Sequence, residues 1–232
     1  MIIALTDDIQ ISIVQKVVKN IHLSVYPPQG EVKMVAPSYM NEESLKLYAI
    51  SKLSWIKQER QKFQEQPRES QRLLIQQESV YLWGERYLLE VIHEVKRPKI
   101  VFDGLTLKFY CPKSYTIEQR THYYQCWARK QLRACSLPMI QAWSDKLAVQ
   151  VNQLFISYMK TRWGSCNARD KNIRLNSELV KKPKECVEYI IVHELLHLIE
   201  SNHNDYFIRL LDVNMPNWRQ RKKLLADMPT HY

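Results

Sequence analysis

The segment His193–His203, with the sequence HELLHLIESNH, constrains the fold of this chain more than any other stretch. It belongs to an almost wholly apolar run from Tyr189 to Ile199, and such a run is typical of a buried helix. Two histidines and a glutamate inside a buried helix cost free energy unless each finds a polar partner. The chain must therefore fold so that a polar group, such as a metal ion with its water, meets this helix.

His193 and His197 are four positions apart, so both imidazoles project from nearly the same face of an α-helix. A helical H-E-x-x-H pair of this kind binds one side of a zinc ion. Glu194 is rotated by ~100° from His193, which places its carboxylate beside the metal and within reach of a metal-activated water. The motif predicts one zinc ion per chain with Glu194 as the catalytic base. The alternative is a structural polar cluster without metal.

His203 is the predicted third ligand, which would leave a fourth coordination position open for water. An unbroken helix would turn His203 ~100° away from the midpoint of the first two histidines. The helix must therefore bend first, and Ser201 and Asn202 are suitable bend residues. Asn202 is also predicted to cap the following helix. The alternative is a surface His203, with the carboxylate of Glu200 or Asp205 as third ligand.

The composition is that of an ordinary globular protein. The 232 residues, 45% hydrophobic and 25% charged, allow one large core or two small ones. The amino terminus is interrupted by acidic residues, unlike a signal peptide, and no apolar run reaches the ~18 residues of a membrane helix. Five cysteines without a C-x-x-C pair favour free thiols. We therefore expect a cytoplasmic protein that does not cross a membrane.

The net charge of +10 and the sequence pI near 9.3 predict a basic surface. Such a surface attracts nucleic acid, nucleotides or other polyanions through counterion release. No aromatic stripe of the kind that reads RNA bases is apparent, so a merely solvated basic surface is the alternative. The basic residues recur at Lys57, Arg60 and Lys62, at Arg120, Arg129, Lys130 and Arg133, and at Arg219, Arg221, Lys222 and Lys223.

The first half of the chain has mostly strand patterns. Residues 9–13, 21–25 and 31–35 alternate between apolar and polar side chains, which predicts a small antiparallel meander. A helix from Glu42 to Gln64 follows, with Asn41 as its cap. Further strands are predicted around residues 81–83, 87–93 and 100–110, the last with a turn at Asp103-Gly104. No internal repeat is apparent.

The second half contains the predicted helices. Thr116 with Gln119 resembles a capping box that opens a long basic helix, which is predicted to be interrupted near Pro138 and to resume from Ala142 to Val149. Residues 154–161 and 173–175 are predicted strands on either side of a polar loop. The metal-binding helix and a terminal helix after residue 217 complete the chain. The most suitable domain boundary lies near residue 111.

Three linked motifs between residues 159 and 207 resemble a known family. They are W-G-S-C at Trp163–Cys166, I-R-L-N at Ile173–Asn176, and H-E-L-x-H followed by N-H-x-x-x-F from His193 to Phe207. In this order they resemble the YgjP-like, SprT-related group of predicted zinc metallopeptidases. The resemblance extends loosely over the first half, through residues 53–56 and 81–84.

Together with the boundary near residue 111, the resemblance implies an α+β fold. A zincin-like, minigluzincin-like catalytic domain over residues 111–232 would have an active-site helix and a small sheet. A small β-rich domain with one helix would precede it, over residues 1–110. The resemblance also supports His193, His197 and His203 as the metal ligands and Glu194 as the base.

The expected function is a zinc-dependent metallopeptidase that hydrolyses peptide bonds with metal-activated water. Arg162, Tyr158 and Tyr206 are candidates for binding substrate or the developing oxyanion, by chemical nature and proximity in sequence. Cys166 as a nucleophile is a competing reading. Other possibilities are a metal-dependent nucleoside triphosphate pyrophosphatase, although no glycine-rich phosphate loop is present, and a DNA-associated protein with a zinc site. Peptide or protein substrates are the expected partners.

Overall fold

The computed structural model describes residues 1–6, 8–27, 29–65, 74, 78–93 and 95–228. The chain divides into two compact units, Met1–Glu69 and Ser70–His231, and mixes helices with small sheets. The predicted α+β class is therefore confirmed. The boundary predicted near residue 111 falls inside the second unit, because the strands just before it belong to the same unit as the metal-binding helix.

The first unit consists of a four-stranded sheet and two helices. Its elements are β1 (Ile2–Thr6), β2 (Ile9–Lys16), β3 (His22–Tyr26), β4 (Glu31–Pro37), α1 (Glu42–Ser51) and α2 (Leu53–Glu65). The strand order is β1-β2-β4-β3, and β2 pairs with β4 in parallel. The predicted antiparallel meander is therefore wrong.

The central place of β4 follows from its side chains. Val32, Met34 and Ala36 alternate along it and are all buried, whereas most residues of β3 are partly exposed, as expected of an edge strand. Strand β1 escaped prediction because Ile2 to Leu5 form a continuous apolar run without the alternation of a half-buried strand.

The helical part of the first unit differs from the prediction of a single helix. Asn41 caps α1 as predicted, and its side-chain oxygen accepts the main-chain N–H of Ser44 at 2.9 Å. The helix then ends at Lys52, whose N–H donates to the carbonyl oxygen of Ala49, only three residues back. This tighter turn separates α1 from α2.

The second unit contains two sheets and four α-helices among its described residues. Its elements are β5 (Ser79–Leu82), β6 (Glu85–Ile92), β7 (Lys99–Phe102), β8 (Thr106–Tyr110), α3 (Ile117–Leu147), β9 (Gln153–Ser157), β10 (Gly164–Asn167), β11 (Asn172–Asn176), a short 3₁₀ helix (Ser177–Lys181), α4 (Lys184–Leu196), α5 (Asp205–Asn214) and α6 (Trp218–Asp227). The sheet orders are β5-β6-β8-β7 and β10-β11-β9. Strand β10 was not predicted.

Two parts of the chain share one topology, a repeat that the sequence does not show. Strands β5 to β8 have the same order and the same parallel and antiparallel pairings as β1 to β4. Equivalent pairs across the two central ladders are Ile11–Val32 with Leu89–Leu107, and Ile13–Met34 with Val91–Phe109. A proline and a helix cap follow in both, as Pro37 with Asn41 and Pro112 with Thr116. Burial is shared and residue identity is not, which hides the repeat from inspection of the sequence.

Helix α3 is continuous where an interruption was predicted. The capping box of Thr116 and Gln119 is present, and the helix continues through Pro138 without a break. Proline removes one main-chain hydrogen bond from a helix. Leu132 and Ile140, on either side of it, are buried in the core, and this packing offsets the loss.

Helix α4 lies within the largest core cluster of the second unit. Nine of its thirteen residues are buried, which confirms the predicted buried helix. It packs against α3, α5 and α6 and against strands β10 and β11. No helix among the described residues is long and apolar enough to cross a membrane.

The turn between β5 and β6 holds the amino-terminal end of α4. The main-chain N–H groups of Trp83 and Gly84 donate to the carbonyl oxygens of Val180 and Lys181, at 2.9 and 3.1 Å. Gly84 has a φ of +91°, and a Cβ there would lie 2.7 Å from Cγ of Pro183. Because only glycine fits both requirements, this turn packs closely against the start of α4.

Candidate active site

The carboxyl-terminal end of α4 carries the H-E-x-x-H motif. His193 and Glu194 lie in its last turn, and His197 is the residue that ends it. Nδ1 of His197 is 3.1 Å from the carbonyl oxygen of Glu200. A carbonyl only accepts hydrogen bonds, so Nδ1 must carry the proton, which leaves the lone pair of Nε2 for a metal.

The bend after α4 is held by Glu200. One of its carboxylate oxygens accepts the main-chain N–H of Asn202 at 2.9 Å, and hydrogen bonds from Asn202 and Asn204 lower the pKa of this carboxyl. The cap of α5 is Asn204, whose side chain accepts the N–H of Phe207 at 3.0 Å. The predicted cap at Asn202 is wrong, because that residue belongs to the bend itself.

The bend brings three imidazoles together. Nε2 of His203 is 2.9 Å from Nε2 of His193, and a ligand atom of His197 completes a group whose members all lie within 4.8 Å of one another. The alternative ligands are less suitable: the Glu200 carboxylate is engaged by the bend, and Asp205 lies in the first turn of α5. The geometry thus favours the three histidines.

The donor set fits zinc. A tetrahedral zinc with Zn–N bonds of ~2.0–2.1 Å holds two ligand nitrogens about 3.3 Å apart, close to the 2.9 Å between His193 and His203. Burial, followed by the charges of His197 and His203, lowers the pKa of His193 to about 3. Its imidazole is therefore neutral near pH 7 and has a lone pair to donate.

Phe207 supports all three imidazoles from within the core. Its ring centroid lies 5.1, 4.8 and 4.8 Å from the ring centroids of His193, His197 and His203. Phe207 is fully buried, and the cap of α5 fixes its main chain. A single aromatic ring thus contacts all three candidate ligands.

Glu194 is buried beside the histidines, with an exposed fraction of 5%. Burial raises the pKa of its carboxyl to about 7, against the opposing effect of the Arg162 charge. Strand β10 passes so close that a Cβ on Gly164 would lie 2.5 Å from Oε1 of Glu194. Gly164 therefore provides space for the carboxylate.

A cleft of about 610 Å³ opens in front of these groups. One wall is α4 and the other is β10 with the segment before it. The lining residues are Thr161–Cys166, Ala168, Tyr189, Ile190, His193, Glu194, His197, Ser201 and His203. Among the described strands β10 pairs only with β11, so its other edge has no strand partner, and its residues Gly164, Ser165 and Cys166 line the cleft.

Of the three predicted substrate residues, only Arg162 belongs to the described lining of the cleft. Arg162 lines the cleft and lies close enough to Glu194 to affect its pKa. Tyr158 and Tyr206 are about half exposed and are not part of the described cleft lining. Sequence reasoning assigned no site role to Gly164, although one of only four glycines inside a tight family motif was a usable signal.

Cys166 also lines the cleft, but its chemistry is unsuited to attack. Burial, with the Glu194 charge as a second cause, raises the pKa of its thiol to about 11. A thiol of this kind stays protonated near neutral pH, and the thiolate is the nucleophile. All five cysteines are free.

Comparison with known families agrees with this site. The profile of the YgjP-like metallopeptidase domain matches residues 19–228. The chain belongs to the YgjP-like metallopeptidase family. This membership confirms the predicted resemblance and identifies the chain as a hydrolase of the metallopeptidase class.

Other comparisons add little about the site. The metallopeptidase zymogen jannalysin of Methanocaldococcus jannaschii is 23% identical, and the match covers 38% of this chain and 84% of that one with a TM-score of 0.35. For the zymogen abylysin of Pyrococcus abyssi the values are 23%, 38%, 85% and 0.34. At this level of likeness neither structure supports an argument about function. A search of curated proteins found no match.

Proposed function

We propose that this chain is a zinc-dependent peptidase whose catalytic base is Glu194. The observation that carries the proposal is the juxtaposition of three imidazoles and a buried carboxylate beside the free edge of β10. A structural zinc site closes all four coordination positions with protein ligands. Three histidines leave one position open.

His193, His197 and His203 would hold the metal. When bound, zinc activates a water molecule and polarises the carbonyl of the scissile bond. The hydrogen bond from Nδ1 of His197 to the Glu200 carbonyl fixes one ring, and Phe207 fixes the rotation of all three. The protein thus supplies a preformed set of ligands.

The environment of Glu194 suits proton transfer. General base catalysis is most effective when the pKa of the base is close to the working pH, and burial raises the pKa of Glu194 to about 7. Its carboxylate would accept the proton of the attacking water and pass it to the nitrogen of the leaving amine. The strand at Gly164 confines the carboxylate on one side, which favours one orientation.

The free edge of β10 favours a peptide as the substrate. An extended peptide adds to a strand edge through main-chain hydrogen bonds, whatever its side chains. Such an edge runs along the cleft wall opposite α4, where the candidate base and ligands lie. A nucleoside triphosphate offers no matching row of donors and acceptors, so this edge argues for peptide hydrolysis over nucleotide hydrolysis.

The proposal is tested by metal content and hydrolysis together. Wild type, Glu194→Gln and His203→Ala would be purified and assayed for zinc, then incubated with a peptide library and with nucleoside triphosphates. We expect about one zinc per chain in wild type and Glu194→Gln, peptide hydrolysis only in wild type, and a reduced zinc content in His203→Ala. The matched ligand control is Asp205→Asn, which should keep its zinc. Hydrolysis of nucleotides alone, or full activity of Glu194→Gln, would refute the proposal.

A further inference from the structure

A cation on the cleft wall has no partner within the described part of the chain. The side chain of Arg162 is exposed and lines the cleft, and its guanidinium makes no hydrogen bond or ion pair there. Its main chain, by contrast, is fixed: the carbonyl oxygen of Arg162 accepts a hydrogen bond from the side-chain amide of the fully buried Asn176 at 2.8 Å. The main chain of Arg162 is thus anchored beside the base, and its exposed guanidinium makes no hydrogen bond or ion pair within the described residues, so it is available to a ligand.

A second cation approaches from α6. This cation is Lys222, which has no carboxylate partner among the described residues. The neighbouring Arg219 and Arg221 form ion pairs with Asp212 and Glu188. The Lys222 ammonium lies 5.8 Å from the ring centroid of Trp218. Two lysines of this helix, Lys222 and Lys223, thus have no ion pair among the described residues, and Lys222 is the one beside Trp218.

Lys222 is linked to the cleft wall on the histidine side through two aromatic rings. Trp218, over which it lies, stacks on the Tyr189 ring at 6.3 Å, and Tyr189 lines the cleft. Arg162 therefore lines the cleft itself, and Lys222 adds positive charge behind the part of the wall that Tyr189 forms.

Negative charge in the cleft does not balance them. Glu194, the candidate base, is the one carboxylate in the described lining. Glu200, in the nearby bend, is occupied by hydrogen bonds from Asn202 and Asn204. An anionic group on the substrate would complete the pairing that the protein omits.

We propose that the site, acting as the peptidase inferred above, prefers peptides with an acidic side chain beside the scissile bond. Arg162 binds that carboxylate, and Lys222 adds attraction from the histidine side. A guanidinium matches a carboxylate in two parallel hydrogen bonds, which suits a specificity residue. The peptide source is favoured over a nucleic acid because the same cleft wall is the free edge of β10.

The test uses zinc-loaded protein and peptide pairs that differ only in Glu or Gln at each position flanking one scissile bond. We expect a kcat/KM about tenfold higher for the best Glu peptide, the size of one charge-assisted hydrogen bond. Arg162→Gln should bring the ratio close to one through KM, and Lys222→Gln should lower it partly. Lys223→Gln removes the same charge from the adjacent position of α6 and should leave the ratio unchanged.

Other outcomes overturn the inference. Equal hydrolysis of both peptides by wild type removes the preference. A loss in kcat that is equal for both peptides in Arg162→Gln assigns that residue to the oxyanion instead. If wild type cleaves no peptide, the proposed function fails separately, and binding of the labelled peptides to Glu194→Gln decides the inference: equal affinity for the Glu and Gln forms, or displacement only by oligonucleotides, refutes it.

Discussion

A Cβ on Gly164 would lie 2.5 Å from Oε1 of Glu194, closer than such atoms approach in folded proteins. Gly164 is the first residue of β10, and its conformation does not require glycine, since its φ is not in the left-handed region. Position 164 requires glycine because any larger side chain would clash with Glu194. The W-G-S-C motif and the H-E-x-x-H motif are therefore two sides of one contact.

Replacing Gly164 by Ala should impair catalysis while leaving the metal in place. The added methyl group clashes with the Glu194 side chain, which must move. Glu194 is not one of the candidate metal ligands, which are the three histidines. A displaced general base costs on the order of 10²-fold or more in kcat. The measurement is peptide hydrolysis beside zinc content. Gly104→Ala is the control. The added methyl group has open space around it, so kcat should be unchanged, whereas the φ of +95° should make the variant less stable. Normal kcat in Gly164→Ala would contradict the assignment.

Phe207→Leu should weaken zinc binding more than it weakens the fold. The ring contacts all three imidazoles, and groups that orient metal ligands typically contribute 10–100-fold to affinity. Titration with a competing chelator measures the loss. Phe155→Leu removes a half-exposed ring from β9 and should leave zinc affinity unchanged. An unaltered affinity in Phe207→Leu would show that the imidazoles keep their positions without it.

Metal-free Glu194→Gln should gain stability over metal-free wild type as the pH rises. In the unfolded chain the carboxyl ionises near 4.5, but in the folded chain its pKa is about 7. Below 4.5 both states are protonated. Between 4.5 and 7 only the unfolded state ionises, so wild type loses about 3 kcal/mol that the variant keeps. Urea unfolding across this range measures the difference, and His193 contributes equally to both proteins. A difference independent of pH would place Glu194 in a more polar environment.

Cys166→Ser should keep both zinc and peptide hydrolysis, because the raised pKa of this thiol makes it a poor nucleophile. Alkylation supports the same point: at pH 8 iodoacetamide should modify Cys166 slowly, and faster in Glu194→Gln, where a charge that raises the pKa is removed. Mass spectrometry of digested samples gives the rates. A large loss of kcat in the serine variant would revive a nucleophilic role.

The sequence was most informative where spacing alone implies geometry. His193, Glu194 and His197 share a helix, so their relation follows from helical periodicity. His203 required only the inference of a bend. Arg162 was identified by proximity to the motif, and the structure places it in the cleft. Cytoplasmic localisation and binding to nucleic acid stay predictions.

The rest depends on contacts between distant parts of the chain. The space that Gly164 leaves for Glu194, and the ring of Phe207 behind the ligands, belong to no local pattern. Strand β10 is too short to show alternation, and the parallel pairing of β2 with β4 joins strands that are not consecutive in the chain. Tertiary packing decided each of these.

The turn at Trp83 and Gly84 fixes the end of α4 that lies far from the reacting groups. Its main-chain hydrogen bonds fix the chain just before the helix, and the reacting groups stand at the far tip. Ten residues of helix separate Pro183 from His193, which is about 15 Å at 1.5 Å per residue. A tilt of about two degrees at the fixed end displaces the tip by about half an ångström, the tolerance of a catalytic constellation. The positions of the candidate metal ligands therefore depend partly on a hairpin whose residues do not line the cleft.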